Sequence, residues 1–412
     1  MRLSICVAVA FALLCSTQAQ QPQSLTLDQA ISMALKKNPS EEIAGHSVAS
    51  AKQNLNSQGA PANPTVQYSG LNNSVAPFDG FGDSSNYALY LTLETSGRWQ
   101  YRTDQARWEY VAAKYNAQGA KFGLVQSVTT AYVALQVAKA DLQAEQESWN
   151  DIKKLADLSE QQFKLGAAPE TNAIRASLAL KQEDQNLVKA KAAVTIAVAA
   201  LDNQLGIPPE STVDTADPLA YRSFAATLPA LQQLARKNRF EILAGDATQK
   251  SLASAVNLNK ANYFPDLLLG TDLQDRRLEV GFTIPIDLGS IKGSVSKAKE
   301  DAKVQSAVNE KQRQQVILDV QTAYYTLDQA RQIVDSYKGD AVPQAQSLLD
   351  KVRQGYVLGA STILDVLDAQ NTLRTMRAGY NDSLGAYEAA LSQLQLSVGL
   401  PLERIEAKGI TK

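Results

Sequence analysis

The segment Phe163-Lys164-Leu165-Gly166-Ala167 returns as Tyr356-Val357-Leu358-Gly359-Ala360, 193 residues further along the chain. The repetition continues on both sides. Upstream, TAYVAL at 130–135 returns as TAYYTL at 322–327, an offset of 192. Downstream, Leu205-Gly206-Ile207-Pro208 returns as Val398-Gly399-Leu400-Pro401 at 193. Gly166 and Gly206 are separated by 40 residues, and so are Gly359 and Gly399. A period of about 190 residues is far longer than the roughly 20–50 of a solenoid unit. The chain reads as one structural half built twice, 20–220 and 221–412, set side by side as in a ring or tube.

Each half is dominated by a long helical hairpin, expected over 97–205 and 291–398. Residues 97–165 contain no proline. From Leu124, Val128, Ala131 and Leu135 to Ile152, Ala156, Ser159 and Phe163, mostly apolar positions alternate at spacings of four and three, a heptad seam. At about 1.5 Å per residue such a helix reaches roughly 100 Å. The matching segment carries Val316, Val320, Ala323, Leu327, Ala330 and Val334 at the corresponding places. Pro343 predicts a bend or weakened turn there, because it lacks an N–H and crowds the preceding turn. Leu165-Gly166 and Leu358-Gly359 end the two long helices, glycine being the usual residue just past a helix. Second helices over 169–205 and 362–398 follow so soon that each must run antiparallel to the first.

Ahead of each long helix the apolar period changes from 3.6 to 2. Tyr87, Leu89, Leu91 and Leu93 alternate with Ala88, Tyr90, Thr92 and Glu94. Leu278, Val280, Phe282 and Ile284 alternate with Glu279, Gly281, Thr283 and Pro285. Partner strands are expected at 64–71 and 265–273, giving β-hairpins over 64–94 and 265–286 with polar loops at 74–85 and 274–277. Strands of about 9–11 residues with this alternation suit a transmembrane β-barrel. One chain supplies four strands, too few to enclose a pore, and lipid tolerates no open sheet edge. Closure by several copies is therefore required, and three copies give twelve strands. The expected fold class is mainly helical with a small β part, in two tandem repeats.

Composition narrows the function. The chain has 40 basic and 42 acidic residues, a net charge of −2, so nothing suggests a nucleic-acid partner. After Arg2, residues 3–15 are apolar but too few to span a bilayer. Thr17-Gln18-Ala19 offers small residues for cleavage, and 1–19 reads as a secretory signal peptide. A lipid-anchored start ranks second, because Leu14 rather than a small residue precedes Cys15. Cys6 and Cys15 both lie in this leader, so the exported chain relies on packing or assembly instead of disulfides. His46 is the sole histidine. A metal site of imidazole or thiolate is thereby excluded, no cofactor is expected, and no catalytic constellation is recognisable.

Several segments together resemble the outer-membrane efflux family, the TolC-like channel-tunnels. Leu25-Thr26-Leu27-Asp28-Gln29-Ala30 through Leu35-Lys36-Lys37-Asn38-Pro39 is similar to the family's N-terminal signature, and Leu228-Pro229-Ala230-Leu231 to Lys237-Asn238 echoes it. Tyr356 to Ala369, YVLGASTILDVLDA, is similar to the family's hairpin-tip motif. Leu93-Glu94-Thr95-Ser96-Gly97-Arg98-Trp99, followed by Arg102, resembles the strand-to-helix turn of the heavy-metal (CzcC-like) branch. The resemblance spans about 25–403. It implies a homotrimer with one twelve-stranded outer-membrane barrel, continued through the periplasm as an α-helical barrel. It further implies a periplasmic adaptor and an inner-membrane pump as partners, with outer-membrane lipid around the barrel.

The same resemblance assigns candidate residues. Asp365 and Asp368 stand at i and i+3 on one helical face, matching acids that line the periplasmic entrance. Three copies would give six carboxylates, and such rings favour cations. Asp365, three residues after Thr362, also reads as a capping acid. Tyr356 matches a position that holds the entrance closed, while on its own terms it reads as a seam residue like Phe163. Ser361 and Asn172 stand where the family has a basic residue and an acid. The closing salt bridge is therefore missing, and a hydrogen-bonded or less tightly shut gate is expected. Leu165, Gly166, Leu358 and Gly359 form the tips that would meet the adaptor. Trp99, Tyr101 and Trp108 form an aromatic cluster at the membrane rim, or pack against a neighbouring protomer, while Arg98, Arg102 and Arg107 read as rim or surface charges. The reading is an efflux duct, with heavy-metal cations as one cargo. A type I protein-secretion component shares the architecture. A periplasmic adaptor or coiled-coil scaffold would explain the hairpins but not the alternating strands.

Overall fold

The computed structural model describes residues 23–70, 85–208, 213–224, 226–272, 278–401 and 404–405. The expected leader 1–19 lies outside them, as do the loop at 274–277 and most of the loop at 74–85. The first half runs β1 (Gln23–Leu25), α1 (Leu27–Lys37), α2 (Pro39–Gln58), β2 (Thr65–Gly70), β3 (Ser85–Leu93), α3 (Arg98–Lys164) and α4 (Glu170–Leu205). The second runs β4 (Val213–Thr215), α5 (Leu228–Asn238), α6 (Phe240–Ala261), β5 (Asp266–Asp272), β6 (Leu278–Thr283) and α7 (Leu288–Ser336). A π-helical turn (Tyr337–Ala341), α8 (Val342–Val357) and α9 (Ile363–Val398) complete it.

Local chemistry sets these boundaries. Thr26 caps α1 in a reciprocal box, its hydroxyl accepting from the Gln29 amide while the Gln29 side chain accepts from the Thr26 N–H. Asn38 caps α2 through Ser40 N–H, and its Nδ2 reaches the Gln204 carbonyl at the end of α4. Gly206 closes α4 with φ +69, and a Cβ there would lie 2.6 Å from the Lys37 carbonyl. The second half repeats the arrangement: Gly399 ends α9 at φ +74, beside the backbone of Asn238 and Arg239.

Four strands form one antiparallel sheet in the order β2-β3-β5-β6. Leu89 pairs with Val66 and Thr271, Leu91 with Leu269, Leu93 with Leu267, and Leu267 and Leu269 with Phe282 and Val280. Cross-strand partners share a face, so these residues make one apolar surface. Thr65, Ala88, Tyr90, Thr92, Gly270 and Gly281 share the other. β2 and β6 are the outer strands, with no partner among the described residues. β1 and β4 form a separate parallel pair. It is tied to α3 by the Tyr132 hydroxyl, which donates to the Leu25 carbonyl or to Asp217, and by Lys139 donating to Asp214. Burial pushes the Tyr132 phenol up to about 12.

α3 is 67 residues long, roughly 100 Å. The single seam expected along it is broader than a heptad stripe. Tyr132, Val133, Gln136, Ser148 and Leu155 are buried beside Leu124, Val128, Leu135, Ile152 and Ser159, whereas Phe163 is exposed. The cause is that α3 packs against α4 on one side and against α2, α6 and α9 on others.

The counterpart of α3 is interrupted. The repeat offset grows from 192 at Tyr132/Tyr324 to 193 at Gly166/Gly359, so the second half carries one extra residue between these points. A π turn, with i→i+5 geometry, absorbs one residue without rotating the flanking helices out of phase. The turn at Tyr337–Ala341 lies in that interval, just before Pro343 in the first turn of α8. Of the bend or weakened turn expected at Pro343, the structure shows an altered turn just before it, at 337–341, and the inserted residue accounts for it.

Three buried clusters hold the structure. One belongs to the first half, around Tyr132, Leu135, Leu201 and Leu205. A second belongs to the other half, around Leu231, Val316, Val320 and Leu394. The third is shared near the tips, where Ile152 and Leu155 of α3 and Ala176 of α4 meet Leu349, Tyr356, Ile363 and Val366.

Candidate functional site

The two tips stop their helices in the same way. Leu165 and Leu358 both have φ −85, ψ 0, followed by Gly166 at φ +70 and Gly359 at φ +76. Gly166 N–H donates to the Phe163 carbonyl and Ala167 N–H to Gln162; Gly359 N–H donates to Tyr356 and Ala360 N–H to Gly355. This is the full Schellman pattern, which needs the left-handed residue at its centre. The leucines stand clear of the protein, 83% and 82% exposed.

The helices that leave the tips differ. At α9, Thr362 and Asp365 form a capping box: Asp365 Oδ2 accepts from the Thr362 N–H and hydroxyl at 2.7 Å each, and Thr362 Oγ1 accepts from the Asp365 N–H. Those bonds, the backbone N–H foremost, hold the Asp365 carboxyl below the usual carboxylate range. Asp365 is thus engaged in its own helix start. Asp368, one turn on, is exposed, and its carbonyl accepts from Thr372. At α4, Pro169 occupies the cap position and supplies no side-chain cap. Asn172 donates its backbone N–H to the Pro169 carbonyl. The Ser361 side chain lies directly over Gly355, where a Cβ would collide with it. Among the described residues no bond joins Ser361 to Asn172.

Tyr356 is buried between the two hairpins. Its hydroxyl lies 3.2 Å from Ser159 Oγ and donates to Gln162 Oε1 at 3.2 Å. The last turn of α8 is therefore bolted to the last turn of α3 within one chain. Sequence reasoning found Tyr356 but missed Gln162, because nothing in the α3 pattern says which neighbour faces its polar positions.

At the opposite end, Trp99 is 46% exposed and its Nε1 donates to the Gly59 carbonyl at the end of α2. Tyr101 is half-buried beside Gly97, and Lys250 lies over the Trp108 ring at 4.3 Å. Phe264, Ile284 and Ile286 stand exposed at the same junction. Two arginines read as rim charges do more than that. Arg98 pairs with Asp266 and donates to Asn262; Arg102 donates to Glu94 and to the Gln58 and Ala60 carbonyls. Both tie the sheet to the helices below it. Both ends of each pair are largely buried, so removing one partner would leave an uncompensated charge. Arg107 is a surface charge, paired with Asp104 one turn away.

Among the described residues no group of three or more His, Cys, Asp or Glu is arranged to hold a metal ion, and no helix is long and apolar enough to cross a membrane.

The sequence matches the model of the outer membrane efflux protein family in two segments, 30–207 and 231–400. The outer membrane protein TolC of Vibrio cholerae serotype O1 is 24% identical over 328 residues, covering 74% of this chain and 72% of that protein. The Campylobacter jejuni CmeC outer membrane channel superposes with a TM-score of 0.79 at 16% identity, over 97% of this chain and 94% of that one. The open state of the Neisseria gonorrhoeae MtrE outer membrane channel superposes at 0.76 and 19% identity, over 91% and 89%. The chain belongs to the outer membrane efflux protein family, and it is accordingly a passive, TolC-like outer-membrane channel that extends into the periplasm, not an enzyme.

Proposed function

We propose that three copies of this chain close into one exit duct, which receives its cargo from an inner-membrane pump through a periplasmic adaptor. The observation that carries this reading is that, among the described residues, both layers end in unlike edges without a partner. The sheet ends in β2 on one side and β6 on the other. In the helical layer, Ile174, Leu178, Val188 and Ile196 form an exposed stripe along α4; Val304, Val308, Leu318, Tyr325 and Ile333 form another along α7. Unlike edges pair head to tail, and head-to-tail contacts generate rings when the rotation closes. Twelve strands result from three chains, with the apolar sheet face toward lipid.

In this duct Asp368, with Asp365 behind it, lines the periplasmic entrance. Tyr356, Ser361 and Asn172 set how tightly it shuts, and Leu165, Gly166, Leu358 and Gly359 present the tips to the adaptor. Trp99, Tyr101 and Trp108 lie at the membrane rim. Cargo selection rests with the pump. The turn at 93–99 favours the heavy-metal branch as a second reading, tested by metal tolerance of a deletion strain. A secretion defect in that strain without an efflux defect would favour the protein-export alternative.

The first test is the particle extracted from outer membranes in mild detergent. A heat-modifiable trimer roughly 100 Å or more in length is expected. A monomer or dimer in the soluble periplasmic fraction overturns the reading. In the trimer, Ser361→Arg with Asn172→Asp is expected to lower single-channel conductance by rebuilding a charge pair; unchanged conductance would remove these two residues from the gate.

A further inference from the structure

Above the tips, three helices bring two carboxylates, Glu145 and Glu183, to one guanidinium, with two further acids beside Glu145. Arg374 of α9 donates to Glu145 Oε1 of α3 at 3.3 Å and to Asn371 Oδ1. Glu183 of α4 lies near enough to Glu145 for the two carboxyl groups to interact, with Asn186 one turn away on its own helix. The remaining charged neighbours are Asp141 on α3, which accepts from Asn381 Nδ2 at 2.8 Å, and Asp382 on α9. Glu145 is 20 residues before Leu165 and Glu183 is 17 after Gly166, which places the cluster roughly 25–30 Å from the tip.

Glu145 Oε2 and Glu183 Oε2 are both buried without a hydrogen-bond donor. Two ionised carboxylates only accept, so neither can satisfy the other. Arg374 bonds Glu145 directly, and its charge only partly offsets the burial of Glu183 and the nearby Glu145 charge. A proton on Glu183 turns one of the two orphaned acceptors into a donor for the other, and removes one buried charge. Burial first, then the Glu145 charge, push the Glu183 carboxyl above the ordinary glutamate value.

We propose that Glu183 carries a proton, donates it in a hydrogen bond to Glu145, and so forms a pH-sensitive latch in the helical wall. Protonated, the latch ties α4 to α3 and, through Arg374, to α9. Deprotonated, the paired charges push α4 away from both. The latch stands on the contacts of one chain and does not depend on the duct reading.

The folded chain keeps a proton that the unfolded chain releases near 4.5. The stabilisation is therefore whole below that pH and is lost as pH rises through the folded value. The test is the thermal midpoint of the full-length, detergent-extracted protein from about pH 4 to 9, for wild type and Glu183→Gln. The glutamine amide donates to Glu145 at every pH. The variant is expected to gain on the wild type as pH rises, by a few degrees at the alkaline end. Groups common to both proteins, including Asp141, cancel in this difference. Parallel curves overturn the proposal. Should the variant fail to fold, hydrogen exchange of the wild type decides. After correction for intrinsic rates, α4 near Glu183 and α9 near Arg374 are expected to lose protection selectively as pH rises. A uniform response along the chain overturns it.

Discussion

The column made by α3 and the column made by α7 and α8 are the same object with different interiors. The first runs 67 residues without a break; the second is split into 49 and 16 residues by a five-residue π turn. Yet both end in identical Schellman tips, and both are followed by helices of 36 residues. Duplication kept the features that fix direction and length, the glycine stops and helix spans. It let side-chain volume and capping drift, because a neighbouring helix can compensate for those. Tyr337 in the π turn illustrates the compensation: its hydroxyl sits 2.5 Å from where a Cβ on Gly379 would be.

Substitutions that copy one half into the other test this view. The largest effect is expected at Leu349, which is fully buried in the shared cluster where the first half has Ala156. Leu349→Ala is expected to cost about 2–5 kcal/mol in urea unfolding; a loss under about 1 kcal/mol would mean that the seam collapses around the cavity.

Asp202 is next. Both its oxygens are buried without partners, and burial raises its carboxyl above the ordinary value of 3.8. Its counterpart is the neutral Gln395. A raised folded value means stability is whole at low pH and lost as pH rises. Asp202→Asn is therefore expected to stabilise at neutral pH, by about 1–3 kcal/mol, with the gain vanishing near pH 4 in a midpoint-versus-pH series. A constant gain at all pH values would mean that the charge is not responsible.

Tyr356→Phe copies Phe163 and removes the hydroxyl that meets Ser159 and Gln162. A loss of about 1–2 kcal/mol and a rise in conductance are expected; stability loss with unchanged conductance would separate the bolt from the gate.

Thr362→Ala removes the capping box that the first half lacks at Pro169, for about 1 kcal/mol. Because the Asp365 value is depressed, the wild-type cap is present above its ordinary range and is lost as pH falls. The gap between the two proteins should narrow in acid without closing, because Thr362 Oγ1 still accepts from the Asp365 N–H, and circular dichroism melts would show it. The smallest effect is expected for Pro343→Ala. The extra residue remains in this variant, so the π turn should persist and stability should change by under about 1 kcal/mol. Deleting Gly339 in that background should instead give a continuous helix, with amide exchange through 337–341 as slow as in α3.

Element boundaries were legible because their causes are local. Gly166, Gly359 and Gly399 each sit where a left-handed residue ends a helix, and Leu89, Leu91 and Leu93 alternate because a pleat does. The one-residue slip between offsets 192 and 193 was visible in the repeat, but only the structure tied it to the π turn at 337–341. The candidate site was legible only in part. Thr362 and Asp365 are three residues apart, so their mutual cap is readable. The partners of Tyr356, Arg98 and Arg102 are not: Gln162 lies 194 residues from Tyr356, and Asn262 lies 164 from Arg98.

By itself, then, the sequence determined the two halves, the lengths and ends of the long helices, and the strands and their faces. All of these follow from periodicity and from the placing of glycine and proline, which act over a few residues. Only the tertiary structure decided that Arg98 and Arg102 clasp the sheet to the helices, that Tyr356 bolts two hairpins together, and that Glu145 faces Glu183 across α3 and α4. Those contacts depend on the rotation of each helix about its axis and on which neighbour it meets, and no short-range rule sets either.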